Sequence, residues 1–256
     1  MESVNPQPSA QAPMRVEIWS DVVCPWCYIG KRRFESALAA FPEADRVEVV
    51  WRSFQLDPTA PAHDPGRPAP RVAEYLGAKY GGGTAQAEQM MAQVDAVAAG
   101  EGLHYDQSES RFTNTLDAHR LIHAALEHGG PALQGAVKER LLAAYFTQKE
   151  DVGDPATLVR LAAEAGLPED LAREVLASDA HRDAVRADQA QAQAFGANGV
   201  PFFVLDRKYG VSGAQPAEVF ADVLAKAWAD HAPVTILAGA VGTAGAQGEV
   251  CGPDGC

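Results

Sequence analysis

The sequence predicts an α/β protein in which a β-α-β half and a β-β-α half are separated by an all-helical insertion. Apolar β-formers lie near both ends of the chain, and one-sided helical stripes run for about a hundred residues between them. Gly/Pro-rich segments mark the joins.

Met14 to Trp19 reads MRVEIW, a near-continuous apolar run suited to a strand in a buried sheet. A helix follows directly. Pro25 fits its first position, where a missing N–H costs nothing, and Phe34, Leu38 and Phe41 supply a stripe until Pro42 ends it. Val47, Val49 and Trp51 alternate as a second strand within Arg46 to Phe54. Leu56 to Pro70 is a loop rich in Pro, Ala, Asp and Gly that leaves this unit.

Helical stripes come next: Leu116, Leu121, Ile122, Ala125 and Leu126, then Val137, Leu141, Leu142, Tyr145 and Phe146, then Leu158, Leu161 and Ala165. Asp154-Pro155 is an N-cap followed by a first-turn proline, while Gly129-Gly130-Pro131 and Gly166-Leu167-Pro168 read as stops. Strand character returns at PFFVL, Pro201 to Leu205, and at Tyr209 to Ser212 beyond a charged turn. A last helix starts near Pro216 with Val219, Phe220, Val223, Leu224 and Trp228 on one face. The resulting division is a loose N-terminal tail over 1–13, a first half over 14–56, loop and helical insertion over 57–196, a second half over 197–231, and a Gly/Ala-rich tail over 232–256.

Of the 256 residues, 47% are hydrophobic and 21% charged, an ordinary globular composition. The formal net charge of −13 disfavours nucleic acid and anionic membrane surfaces as partners. No apolar run approaches the roughly 18 to 20 residues of a bilayer span. The first residues lack the cationic start and apolar stretch of a secretory signal, so a cytoplasmic protein is expected. No Gly-x-Ser-x-Gly, His-Glu-x-x-His or dinucleotide fingerprint supports a hydrolase or nicotinamide enzyme, and Gly81-Gly82-Gly83 reads as a linker without the lysine of a phosphate loop.

The four cysteines form two close pairs, Cys24/Cys27 in Cys-Pro-Trp-Cys and Cys251/Cys256 in Cys-Gly-Pro-Asp-Gly-Cys. At a strand–helix junction, Cys24 meets the unpaired N–H groups of the helix start, so its thiol is expected to titrate low and act as nucleophile. Cys27, one turn on, is placed to resolve a mixed disulfide. The alternative is a zinc site using these thiols, although Cys-x-x-Cys zinc sites usually sit on hairpin turns. Lys31-Arg32-Arg33 reads as a solvated helix face that adds positive potential beside Cys24. His119 and His123 share a helix face without an evident third metal ligand, and Asn114 or Thr115 could cap that helix. Gly252 to Gly255 is strong turn chemistry that would bring Cys251 and Cys256 within bridging distance. A flexible tail from Trp228 spans roughly 26 Å against a globule radius of gyration of about 18 Å, so it can reach the first pair. An inert tail and an adventitious metal site are the rivals.

VEIWSDVVCPWCYIGKRRFESAL resembles the active-site strand and helix of the DsbA-family thioredoxin-like oxidoreductases, specifically the FrnE-like branch. GVPFFVLDRKYGVSGAQPAEVF, over 199–220, resembles that family's second half, and FTNTLDAHRLIHAA, over 112–125, its helical-domain signature. The resemblance implies a thioredoxin fold with a helical insertion covering Cys24. It also implies a cis Val200-Pro201 bond facing the thiols, with Pro25, Trp26, Val200 and Pro201 contacting substrate, and a helical cleft in which Asn114, Thr115 and His119 are candidate lining residues. The implied function is thiol–disulfide exchange or isomerisation on protein disulfides, with Cys24, Cys27, Cys251 and Cys256 reacting. No cofactor or metal is implied; protein thiols or disulfides and a thioredoxin-type reductant are the candidate partners. Two departures stand out. Ile18 occupies the position of the family's buried acid, with Glu17 on the other face, which leaves water, Asp21 or a helical-domain group as proton relay. The Pro-Trp dipeptide lacks the histidine of the strongly oxidising member, so the redox potential stays open. A glutathione-dependent isomerase or transferase of the same superfamily is the rival enzyme class; Cys27 argues against it, since a resolving thiol would compete with that chemistry.

Overall fold

A computed structural model describes residues 12–231. The expected N-terminal tail lies almost wholly outside these residues, and the Gly/Ala-rich tail entirely so.

The sheet has four strands in the order β2-β1-β3-β4: β1 (Met14–Ser20), β2 (Val47–Ser53), β3 (Phe202–Leu205) and β4 (Tyr209–Ser212). β1 runs parallel to β2 with Ile18 opposite Trp51, and antiparallel to β3 with Ile18 opposite Phe203. Its central position explains why six of its seven residues are buried on both faces. The even-numbered face, Met14, Val16 and Ile18, joins the main core with Phe34 of α1 (Pro25–Ala39). Phe34 packs on Phe203 at 5.6 Å between ring centroids and edge-on to Phe220, which lies in the C-terminal helix, Ala217–Ala229. On the other face, Trp19 packs with Phe195, Phe202 and Ala192 in a second cluster.

Six helices lie between β2 and β3: α2 (Val72–Tyr80), α3 (Gly83–Gly100), α4 (Leu116–Phe146), α5 (Pro155–Glu164), α6 (Glu169–Ala177) and α7 (Arg182–Ala194); the C-terminal helix is α8. Asp154 caps α5 as its sequence predicts, accepting from Ala156 N and Thr157 N. The expected stop at Gly129-Gly130-Pro131 is a break within α4. Gly129 and Gly130 leave helical geometry, with Gly130 at φ +70°, and the helix resumes at Pro131. Gly81, Gly82 and Gly83 turn the chain between α2 and α3.

Two side chains of the insertion complete the exposed edge of β2, whose backbone groups would otherwise lack partners. Gln134 of α4 accepts from Trp51 N at 2.9 Å and donates to Trp51 O at 2.8 Å. Asp188 of α7 accepts from Ser53 N at 2.8 Å. It also meets His123 at 3.0 Å and Arg52 at 3.4 Å, while its backbone carbonyl accepts from Trp19 Nε1. The helical insertion is thereby fixed to the edge of the sheet at two points. Among the described residues no helix is long and apolar enough to cross a membrane.

Candidate active site

Cys24 is the N-cap of α1, with Pro25 first in the helix and Cys27 one turn on. Both are free thiols and both are buried, Cys24 at 4% and Cys27 at 1% exposure. The Val200-Pro201 peptide is cis, as the family resemblance implies, and Val200 O lies 3.6 Å from Cys24 Sγ as an acceptor for its thiol. Gly30, one turn beyond Cys27, allows α1 this close to the cis-proline segment, because a Cβ there would stand 2.9 Å from Pro201 Cγ.

Titration of the pair reverses one expectation. The Cys24 thiol is pushed well up, first because it shares its proton with Cys27 and then because it is buried, while the Cys27 N–H pulls weakly the other way. Burial also raises Cys27, but the hydrogen bond from Cys24, the Lys138 ammonium, Ser20 and the Asp21 backbone outweigh it and lower its pKa. The helix start favours a thiolate at Cys24, as the sequence suggests, while burial and the neighbouring sulfur oppose it; the Lys138 ammonium acts in favour of charge at Cys27.

Lys31-Arg32-Arg33 is not a solvated face. Lys31 is 5% exposed and pairs with Glu35 and Glu139, Arg32 pairs with the same two carboxylates, and Arg33 pairs with Glu101 and donates to Ala214 O. Carboxylates neutralise its charge, so the positive potential expected from it beside Cys24 is largely cancelled. The cation that matters, Lys138, comes from α4.

His119 and His123 serve as anchors. His119 Nε2 meets Asp21 Oδ1 at 3.2 Å, and Asp21 also accepts from Val22 N and Leu56 N, so its carboxylate pins the loop before Cys24. His123 joins Ser53 Oγ and Asp188. Among the described residues no cluster of three or more His, Cys, Asp or Glu side chains is poised to hold a metal. Asn114 caps α4 by accepting from Leu116 N and also holds Pro58 O and Ala60 O; Thr115, whose side chain makes no cap, lines a cavity instead.

That cavity, of about 330 Å³, opens beside Pro25 and Trp26 between the thiol-bearing unit and the α2–α3 pair. Its walls are mainly apolar, including Leu56, Tyr75, Met90 and Phe112, and Trp26 is 40% exposed at its rim. Tyr105 reaches over from the insertion to donate to Pro25 O at 2.8 Å.

Sequence reasoning missed Lys138, Ser20 and Tyr105. Lys138 had a signal: it falls inside the apolar stripe of Val137, Leu141, Leu142 and Tyr145, where a lysine is out of place. Cys251 and Cys256 lie outside the described residues.

A buried dithiol at a helix start, faced by the Val200 carbonyl that precedes a cis proline on this four-stranded sheet, defines the thioredoxin-fold oxidoreductase class. The chain belongs to the family of DSBA-like thioredoxin domains, whose model matches residues 15–225. It is similar to the crystal structure of a probable DsbA oxidoreductase from Streptomyces coelicolor, with 47% identity, a TM-score of 0.81 and coverage of 95% of this chain and 98% of that one. It also resembles the uncharacterized protein YwbO of Bacillus subtilis, 26% identical over 215 residues covering 81% of this chain and 94% of that protein. The cytosolic disulfide reductase DsbM of Pseudomonas aeruginosa shares the fold at 17% identity and a TM-score of 0.60, covering 83% of this chain and 98% of that one.

Proposed function

We propose that this chain exchanges disulfides with protein substrates, using Cys24 as nucleophile and Cys27 as resolving thiol. The observation that carries the reading is the pair of buried free thiols at the start of α1, with the outer one, Cys24, against Val200 O at the cis bond to Pro201. In the reducing direction Cys24 sulfur attacks a substrate disulfide and expels one substrate thiolate. Cys27 sulfur then attacks Cys24 sulfur, the mixed disulfide breaks and the second thiolate leaves; the substrate has gained two electrons and two protons, and the chain is left as its disulfide. The reverse sequence oxidises a dithiol, and attack followed by retreat isomerises. Val200 and Pro201 line the approach of an extended substrate segment, and the apolar cavity beside Pro25 and Trp26 accepts a neighbouring apolar side chain of that segment. Cys251 and Cys256 act as a second pair that exchanges with the first, a reading supported by the turn chemistry between them and the reach of the intervening chain.

Insulin-disulfide reduction by dithiothreitol tests this reading, comparing wild type, Cys24→Ser and the double change Cys251→Ser with Cys256→Ser. Loss of turnover with Cys24→Ser and a lowered rate with the tail change are expected. A wild type without turnover overturns the exchange reading, and a tail variant at wild-type rate removes the second pair from it.

A further inference from the structure

Lys138 is 1% exposed, and a buried ammonium costs several kcal/mol unless something negative compensates it. Its polar contact among the described residues is a neutral one: Nζ donates to Ser20 O at 3.3 Å, with the Trp51 ring 5.8 Å away. The groups that attract its charge are Cys27 first, then Asp21 and Cys24. A second observation points to the same sulfur. Ser20 Oγ is buried with no formed hydrogen bond among the described residues, and it stands where a Cys27 thiolate would satisfy it. β1 offers no ionisable side chain here, since Ile18 is apolar and Glu17 is engaged with Arg52 on the opposite face.

The lysine is held in place by its neighbours on α4. Gln134, one turn earlier on the same face, is bonded twice to the β2 edge. Glu139, the next residue, grips Lys31, Arg32 and Tyr28 of α1. The helical domain thus delivers one unpaired cation to the back of the dithiol at a fixed position.

We infer that Lys138 is the positioning residue that holds Cys27 as the attacking thiolate when the mixed disulfide at Cys24 is resolved, with Ser20 Oγ as the second arm of the cradle. The role rests on the exchange reading above. In the step, the Cys27 thiol loses its proton to water, and its sulfur electron pair forms the Cys24–Cys27 bond. The bond from Cys24 to the substrate sulfur breaks, and the departing thiolate takes up a proton from water. The charged and titratable groups around Lys138 are Cys24, Cys27 and Lys31 of α1, Asp21 of the preceding loop and His119 of α4. Burial outweighs their net attraction and brings the lysine down to about 8, so it is largely charged at neutral pH and loses that charge above it.

Ellman's reagent provides the test on the full chain carrying Cys251→Ser and Cys256→Ser, which serves as the wild type of this comparison at Lys138 and in which Cys24 and Cys27 are the only thiols. Cys24 attack releases one nitrothiobenzoate in a phase that depends on reagent concentration, and Cys27 attack releases a second in a phase that does not. Lys138→Met is expected to raise the pH midpoint of the second phase by about one unit or more and to slow it about tenfold at pH 7, with the first phase much less changed. Lys138→Arg should restore a low midpoint, a pH readout that a purely structural role would not move. A second phase in Lys138→Met with the wild-type pH profile overturns the inference while leaving the exchange reading intact. So does a midpoint at or above that of an ordinary thiol, about 8.5, with Lys138 in place, a measurement that needs no Lys138 variant to fold. Wild type releasing a single equivalent overturns both.

Discussion

His119 Nε2 and Asp21 Oδ1 lie 3.2 Å apart, and each side chain is 1% exposed. The pair ties α4 of the insertion to the loop that presents Cys24, and it gives the fold a pH dependence of definite sign. Burial, outweighing the attraction of Asp21, holds His119 below its ordinary pKa of 6.5, so folding keeps the ring neutral with Nε2–H donating. The unfolded chain binds the extra proton first as pH falls. Stability is therefore lost from about pH 6.5 downward, by up to about 1.4 kcal/mol per pH unit for this one group. Asp21 follows lower: burial raises it, the His119 and Leu56 hydrogen bonds win, and its contribution is lost as pH falls below 3.8. Urea unfolding at steps between pH 7 and 5 should show the first limb, and His119→Gln should flatten it. An unchanged slope in that variant would assign the limb elsewhere.

Lys138 also links the site to the redox potential. Its ammonium stabilises the reduced pair through the Cys27 thiolate and gains nothing from the disulfide, so it makes the pair more oxidising. Lys138→Met should shift the potential to more negative values by about 30 mV for each unit by which the Cys27 pKa rises, measured against glutathione buffers. A shift to more positive values would contradict this assignment.

Asp188 should be among the costliest carboxylates to remove. Its side chain is 6% exposed and serves Ser53 N, His123 and Arg52 at once. Asp188→Ala leaves the buried Ser53 N–H without its acceptor and removes the carboxylate beside His123, while Arg52 keeps Glu17, and a loss of about 1 to 3 kcal/mol in urea unfolding is expected. Asp188→Asn, which keeps the shape and an acceptor, should cost less. A loss below about 1 kcal/mol for the alanine would mean that α7 is held by Trp19 and Phe195 packing alone.

Gly30→Ala places a methyl 2.9 Å from Pro201 Cγ and 3.3 Å from Ala214 Cβ, between two parts with little room to give. Overpacking of this kind costs about 1 to 3 kcal/mol. Moving α1 away from Pro201 should also change the rate of Cys24 with Ellman's reagent. A variant as stable and as reactive as wild type would show that the contact can relax.

Much of the architecture was legible in the sequence because periodicity is local. The alternation of Val47, Val49 and Trp51, the Pro25 helix start and the Asp154-Pro155 cap each need only a few neighbouring residues, and each appears where the pattern puts it. Cys24 and Cys27 were legible for the same reason, since Cys-x-x-Cys at a strand–helix junction is a local arrangement. The cation that acts on Cys27 was not. It lies 111 residues downstream in sequence, brought in because Gln134 binds the β2 edge and Glu139 grips α1. The reading of Lys31-Arg32-Arg33 failed in the same way: its carboxylate partners include Glu101 and Glu139, from the insertion. The sequence by itself determined the order of elements and the reactive pair, because hydrophobic spacing and turn chemistry act over a few residues. Only the tertiary structure decided which charges surround the two sulfurs, because electrostatic energy in a buried site is set by distance through space.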